Sequence, residues 1–268
     1  MTAPLPAKTK ERLMGPSGGN GGRWYRRFHR ARASADPLVC FPYAGGSAAY
    51  YHAVSAALSP RTDVVAVQYP GRQDRISEPC IDDIHLLADR IHAALADVAD
   101  RPLALFGHSM GALVAFEVAR RIESSGGSVR HLFLSGRRAP SCTRNDETIH
   151  LLGEAELLAT VVAMGGTDQR LLESEEMRSL VLTPLRSDYR AVETYRGTVT
   201  AAVRCPVTVL TGADDETTTV EEARAWRRHT SGPCEVRVFP GGHFYLNERR
   251  DEVLRVLTDT LESTAARP

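Results

Sequence analysis

Short apolar runs and amphipathic stretches alternate along most of the chain. Leu38–Phe41, Val64–Gln68, Leu103–Phe106, His131–Ser135, Val207–Thr211 and Glu235–Phe239 are short and rich in branched or aromatic side chains. That length and makeup predict strands of a sheet. Between them the apolar period lengthens. A helix runs from the Ser47 loop to about Leu58. Over Ile81–Val98, residues Ile84, Leu87, Ile91, Leu95 and Val98 share one helical face. After Gly111, residues Leu113, Val114, Ala115, Val118, Ala119 and Ile122 recur at helical spacing. Val220–His229 and Asp251–Leu261 predict two more helices. Strand alternating with helix implies a mostly parallel sheet with helices on both faces. The alternation breaks once. From about Pro140 to Gly197 there are helical segments only, at Ala155–Met164, Met177–Leu185 and Asp188–Tyr195. An apolar-faced helical run placed between sheet strands predicts a lid over a site.

Composition narrows the class. A chain of 268 residues with 43% hydrophobic and 25% charged side chains is long enough for one sizeable core. The formal net charge is zero, which argues against a nucleic-acid binder. Charge is uneven, however: through Arg32 there are eight basic residues and one acid, Glu11. Residues 1–22 are rich in Gly and Pro and are expected to be a disordered leader, with the domain spanning 23–268. Arg23–His29 is expected to pin its aromatics to the domain. No targeting segment or membrane span is expected. Cys40, Cys80, Cys142, Cys205 and Cys234 lack metal spacing. They fit a reducing, cytoplasmic setting, with Cys40 and Cys205 packing as small hydrophobes. His85 and His92 stand a heptad apart, which suits no metal, and are expected to be solvated.

The chemistry centres on Gly107-His108-Ser109-Met110-Gly111, placed between a strand and a helix. This G-x-S-x-G context predicts a nucleophile elbow, with glycines where a Cβ would clash and the hydroxyl above the sheet. The new helix directs its first N–H groups at developing negative charge. Pro42-Tyr43-Ala44-Gly45-Gly46-Ser47 ends an earlier strand. Its Ala44 N–H, with that of Met110, is the candidate oxyanion hole. Gly212-Ala213-Asp214-Asp215 and Pro240-Gly241-Gly242-His243 end two later strands. Ser, Asp, His in that order at the carboxyl ends of parallel strands is the α/β-hydrolase arrangement. Asp214 and Asp215 compete for the acid, and counting three residues from Gly212 favours Asp215. His108 sits on too tight a turn to be the base. His243 would take the serine proton and Asp215 would orient it.

Taken in order, WYRRF, LVCFPYAGGSA, YPGRQDR, FGHSMGALVAFEVAR, LTGADD, AWRRHT and FPGGHFYL resemble a type II thioesterase. Such enzymes are free-standing partners of polyketide synthases and non-ribosomal peptide synthetases. The resemblance covers about residues 23–260. It implies an acyl thioester on the phosphopantetheine arm of an acyl or peptidyl carrier protein, supplied in trans, and an editing role. It also implies a Ser109–Asp215–His243 triad and oxyanion donors at Ala44 and Met110. The helical insertion would be a mobile lid over an acyl pocket. No cofactor is expected beyond the arm the substrate carries, and a monomer is expected. The chain departs from the pattern in its Gly-rich leader and at Glu216-Thr217, where a proline often follows the acid. Carrier domains are usually acidic, so the leader with Arg72 and Arg75 is expected to steer one. A chain-releasing thioesterase, an esterase or lipase, an acyltransferase and a non-catalytic binder are the alternatives.

Overall fold

The computed structural model describes residues 20–142, 144, 148–166 and 174–265. Residues 1–19 of the expected leader lie outside them. The elements in chain order are β1 (Tyr25–Arg26), β2 (Asp36–Phe41), α1 (His52–Leu58), β3 (Thr62–Val67), α2 (Ile84–Ala94), β4 (Leu103–His108), α3 (Met110–Ser124) and β5 (Val129–Ser135). Then come α4 (Glu154–Ala163), α5 (Glu175–Thr194), β6 (Val207–Gly212), α6 (Val220–Arg224), β7 (Cys234–Phe239), α7 (Tyr245–Glu248) and α8 (Arg250–Ala265).

The strands form one sheet in the order β1-β3-β2-β4-β5-β6-β7. All neighbours are parallel except β1, which runs antiparallel to β3. Successive side chains on a strand point to opposite faces, and the chain uses both. Val39, Val65, Leu105, Leu132 and Val207 pack with the buried sides of α2 and α3. Leu38, Val64, Ala104 and Phe133 share the opposite core with Leu58, Val253 and Leu257. This is why the strands read as unbroken apolar runs rather than as alternating ones.

The element boundaries differ from expectation in places that side-chain chemistry explains. Asp83 caps α2 by accepting the Leu86 N–H at 2.7 Å, so the helix starts at Ile84 rather than Ile81. The two helices expected at Met177–Leu185 and Asp188–Tyr195 are one, α5. Pro184 lies inside it. Proline removes one backbone donor there, but burial of Pro184, Leu185 and Asp188 holds the helix through it. Tyr25–Arg26 is a strand, where sequence offered only pinned aromatics. The Tyr25 hydroxyl donates to Asp97 at 2.7 Å, and the Arg75 guanidinium lies 4.0 Å from the Trp24 ring centroid.

Cys40 and Cys205 are buried as expected, and all five cysteines are free thiols. His85 and His92 are partly exposed on α2, beside Glu117 and Ser125 respectively. Among the described residues no helix is long and apolar enough to cross a membrane.

Candidate active site

β4 and α3 meet at Ser109 with almost no loop. Ser109 has φ 53° and ψ −118°, a conformation that costs a non-glycine residue about 1–3 kcal/mol. Its surroundings fix it there. The Ser109 N–H donates to the Ser135 carbonyl at 2.8 Å, and the Ser109 carbonyl accepts from Ala112 at 3.0 Å. Both flanking glycines are required by close approach. A Cβ on Gly107 would lie 2.0 Å from the Gly111 carbonyl oxygen, and one on Gly111 2.1 Å from that of Phe41. The second contact presses the start of α3 against the end of β2.

Asp215 follows β6 and is 5% exposed. Its Oδ1 accepts from the Thr217 N–H at 2.9 Å, the Thr217 hydroxyl at 2.8 Å and the Thr218 N–H at 3.2 Å. Oδ2 remains for His243 Nδ1, at 2.8 Å. Burial alone would raise the Asp215 carboxyl. The hydrogen bond and charge of His243, with the Thr217 donors, outweigh it and hold the group below the usual carboxylate range. Asp214 is exposed and points elsewhere, its Oδ2 accepting from Gly241 at 3.4 Å. The structure therefore brings Asp215, not Asp214, to His243.

His243 follows β7. Its ring centroid lies 5.0 Å from that of His108, the residue before Ser109. A Cβ on Gly136 would meet His243 Cε1 at 3.4 Å, and Gly136 follows Ser135, whose carbonyl holds Ser109. The three strand ends thus converge, and His243 Nε2 is the ring nitrogen not engaged by Asp215. His108 is fully buried, with Nδ1 2.9 Å from the Ser135 hydroxyl. Burial, and then the nearby His243, hold it neutral, well below the ordinary histidine value.

The loop from Pro42 to Ser47 follows β2. Gly45 N–H donates to Asp188 Oδ2 at 2.7 Å, and Gly46 N–H to the Tyr43 carbonyl at 2.9 Å. The Ala44 N–H has no such internal acceptor among the described residues. Met110, as the first residue of α3, has no acceptor within its helix. The insertion lies against this end of the sheet. The Tyr43 hydroxyl donates to the Gly166 carbonyl at 3.2 Å, and a Cβ on Gly166 would lie 3.0 Å from the Phe244 ring.

Three residues near the site were not singled out for a role there by sequence: Thr217, Arg72 and Asp188. Thr217 occupies the departure noted beside the acid. Arg72 was expected to steer a partner, together with Arg75. That expectation is corrected here: both are buried, at 6% and 5% exposure. Arg72 pairs with Asp188 at 2.7 Å and Arg75 with Glu78 at 2.6 Å. Just after the leader, Arg26 pairs with Asp74 and Arg27 with Asp63, which offsets their charge.

A parallel sheet with an elbow serine after β4, a carboxylate after β6 and a histidine after β7 defines the class, an α/β-hydrolase fold. Within that class, the chain belongs to the thioesterase domain family, which matches residues 36–261. It is a hydrolase of thioesters. It is 48% identical over 246 residues to a probable cadicidin biosynthesis thioesterase of Streptomyces griseus, covering 92% of this chain and 68% of that protein. It is 45% identical over 251 residues to Thioesterase PikA5 of Streptomyces venezuelae, covering 93% and 89%. The solved type II thioesterase BorB from the borrelidin biosynthetic cluster superposes with a TM-score of 0.84 at 49% identity, covering 89% of this chain and 97% of that one.

Proposed function

We propose that this thioesterase hydrolyses acyl groups from the phosphopantetheine arm of carrier proteins, through an acyl-enzyme on Ser109, and so clears stalled chains from a synthase. The observation that carries the reading is the 2.8 Å contact between His243 Nδ1 and Asp215 beside an elbow serine. With Nδ1 engaged, His243 Nε2 accepts the Ser109 proton as Oγ attacks the thioester carbonyl. The N–H groups of Ala44 and Met110 bind the resulting oxyanion. Its collapse breaks the carbon–sulfur bond, and the departing pantetheine sulfur takes the proton from His243 and leaves as the thiol, which returns His243 to its neutral form. Water then attacks the acyl-enzyme, giving up its proton to His243. The carboxylic acid leaves, and Ser109 recovers its proton.

Supply of the carrier in trans is part of this reading, supported by the likeness to the type II thioesterase BorB. The names of its relatives, drawn from cadicidin and borrelidin biosynthesis, support a synthase partner. The test is mass spectrometry of a panel of acyl-carrier proteins before and after incubation. Loss of the acyl mass is expected with the intact chain. Ser109→Ala should slow it by about 10⁶-fold. A strong preference for lipid or p-nitrophenyl esters over acyl carriers would favour a general esterase instead.

A further inference from the structure

We infer that Arg72 and Asp188 form a latch that ties helix α5 of the insertion to the oxyanion loop, so that donor geometry at Ala44 depends on α5 being docked. The inference rests on the proposed use of Ser109 and of the Ala44 N–H.

Asp188 lies on α5 and is 1% exposed; Arg72 follows β3 and is 6% exposed. They make two charged hydrogen bonds, Nη1 to Oδ2 at 2.7 Å and Nη2 to Oδ1 at 2.8 Å. A buried ion pair by itself gains little over apolar packing. This one has further partners. Asp188 Oδ2 also accepts the Gly45 N–H at 2.7 Å, and Arg72 Nη1 reaches the Gly46 carbonyl at 3.4 Å. The pair therefore grips the Gly45-Gly46 backbone by a donor and an acceptor. Gly45 has φ +78°, and a Cβ there would meet Leu185 Cδ1 at 2.8 Å. Leu185 lies one turn before Asp188 on the same helix, so α5 rests directly on the loop.

Ala44 stands between two residues that both hydrogen-bond to the insertion. Tyr43 does so through its hydroxyl to Gly166, and Gly45 through its N–H to Asp188. From below, the end of β3 braces the same loop. The Tyr69 hydroxyl donates to the Pro42 carbonyl at 3.1 Å, and the Ala48 N–H donates to Gln68 Oε1 at 3.1 Å. Gln68 Nε2 in turn reaches the Arg72 carbonyl at 3.3 Å. The two motifs FPYAGGS and YPGR are thus one unit, closed by an aspartate from the insertion. If α5 lifted, the Arg72 charge and the Gly45 N–H would both lose their partner, and the loop would lose the contacts that aim Ala44. Hydrolytic competence would then be confined to the docked state of the insertion.

The test compares wild type with Asp188→Asn in three measurements. They are thioester turnover, inhibition by a trifluoromethyl ketone whose serine adduct carries an oxyanion, and binding of an unreactive thioether analogue. Misplacing a catalytic donor by about 1 Å costs about 100-fold. Asp188→Asn is therefore expected to lower kcat and weaken the ketone adduct by about 100-fold. KM and thioether affinity should stay within about threefold, as expected when only transition-state contacts are lost. Arg72→Lys should fall between the two. Parallel losses of thioether affinity and kcat, or a lowered Tm with kcat unchanged, would overturn the latch.

Should Asp188→Asn fail to fold, Tyr43→Phe removes the other tether alone. It is expected to lower kcat about fivefold without changing thioether affinity, and an unchanged kcat would count against the latch. Fluorophosphonate labelling separates the two layers of the argument. No adduct on wild-type Ser109 would sink the proposed function and the latch together. Equal labelling rates for wild type and Asp188→Asn would sink only the latch.

Discussion

The Thr217 hydroxyl lies 2.8 Å from Asp215 Oδ1 and 2.9 Å from His243 Nδ1. It has one proton, which it donates to the carboxylate. Its oxygen is then an acceptor that shares the His243 Nδ1–H with Asp215 Oδ2. Thr217 is a positioning residue, since it acts on the pair and not on the substrate. Thr217→Val keeps the shape and removes the hydroxyl. Loss of a hydrogen bond to a charged group is expected to lower kcat about 10- to 100-fold with KM unchanged. Thr217→Ser should restore most of it. Steady-state kinetics on one acyl thioester decides the matter: a valine variant as fast as wild type would remove Thr217 from the site. At this scale sequence went far for Ser109, Asp215 and His243, because each closes a strand with a glycine-rich turn of recognisable form. It did not reach Thr217 or Asp188. Their roles come from partners 26 and 116 positions away in the chain, and no local pattern marks such a contact. Arg72 was read as a surface charge for the same reason.

Among the elements, the insertion packs partly on itself, although Ala191 and Val192 of α5 reach the main core. Leu157, Leu158, Val161 and Leu185 form a small core of their own, apart from the two cores that flank the sheet. A separate cluster can open without the rest of the fold. Leu185→Ala is expected to weaken it by about 2–5 kcal/mol, the usual range for a buried leucine. Hydrogen exchange should speed up in α4 and α5 while β4 and β5 stay protected. Equal loss of protection in those strands would mean that the cluster is not independent. The helical character of this segment was legible in its apolar spacing. Its continuity across Arg186 and Ser187 was not, because that polar pair interrupts the apolar spacing while burial of Leu185 and Asp188 on either side holds a single helix. The start of α2 was missed for a smaller reason, since an Asp83 cap outranks the apolar Ile81 in fixing where a helix begins.

Over the whole molecule, the parallel sheet followed from the alternation of strands and helices, and buried histidines set its acid sensitivity. His131 stands in β5, 6% exposed, with Nε2 2.8 Å from the Thr208 hydroxyl. Burial pushes it from the ordinary value of 6.5 down to about 4. The unfolded chain therefore binds the proton more readily than the folded one. The associated stability is complete above about pH 6.5 and is lost as pH falls from there towards about 4. His108 acts in the same direction. Asp215 and Glu117 are held low, so their contributions vanish only at more acid pH. Urea unfolding at pH 7.5 and pH 5 checks this: His131 alone should account for a loss of about 2 kcal/mol at pH 5. His131→Phe should flatten that limb, and an unchanged slope would refute the assignment.

The sheet's two edges are guarded differently. Along β7 the exposed side is charged, with Arg237 and Glu235 paired at 2.8 Å. On the side away from β2, the buried, apolar β3 has, among the described residues, only the two residues of β1 paired with it, Tyr25 with Val67 and Arg26 with Ala66. An uncovered apolar strand recruits whatever extended backbone it meets. A chain beginning at Phe28 would expose that edge, and sedimentation velocity should then show mass rising with concentration where the full chain shows none. In that sense β1 is a competitor the chain supplies against copies of itself, and its value lies in being covalently present before any rival strand can arrive.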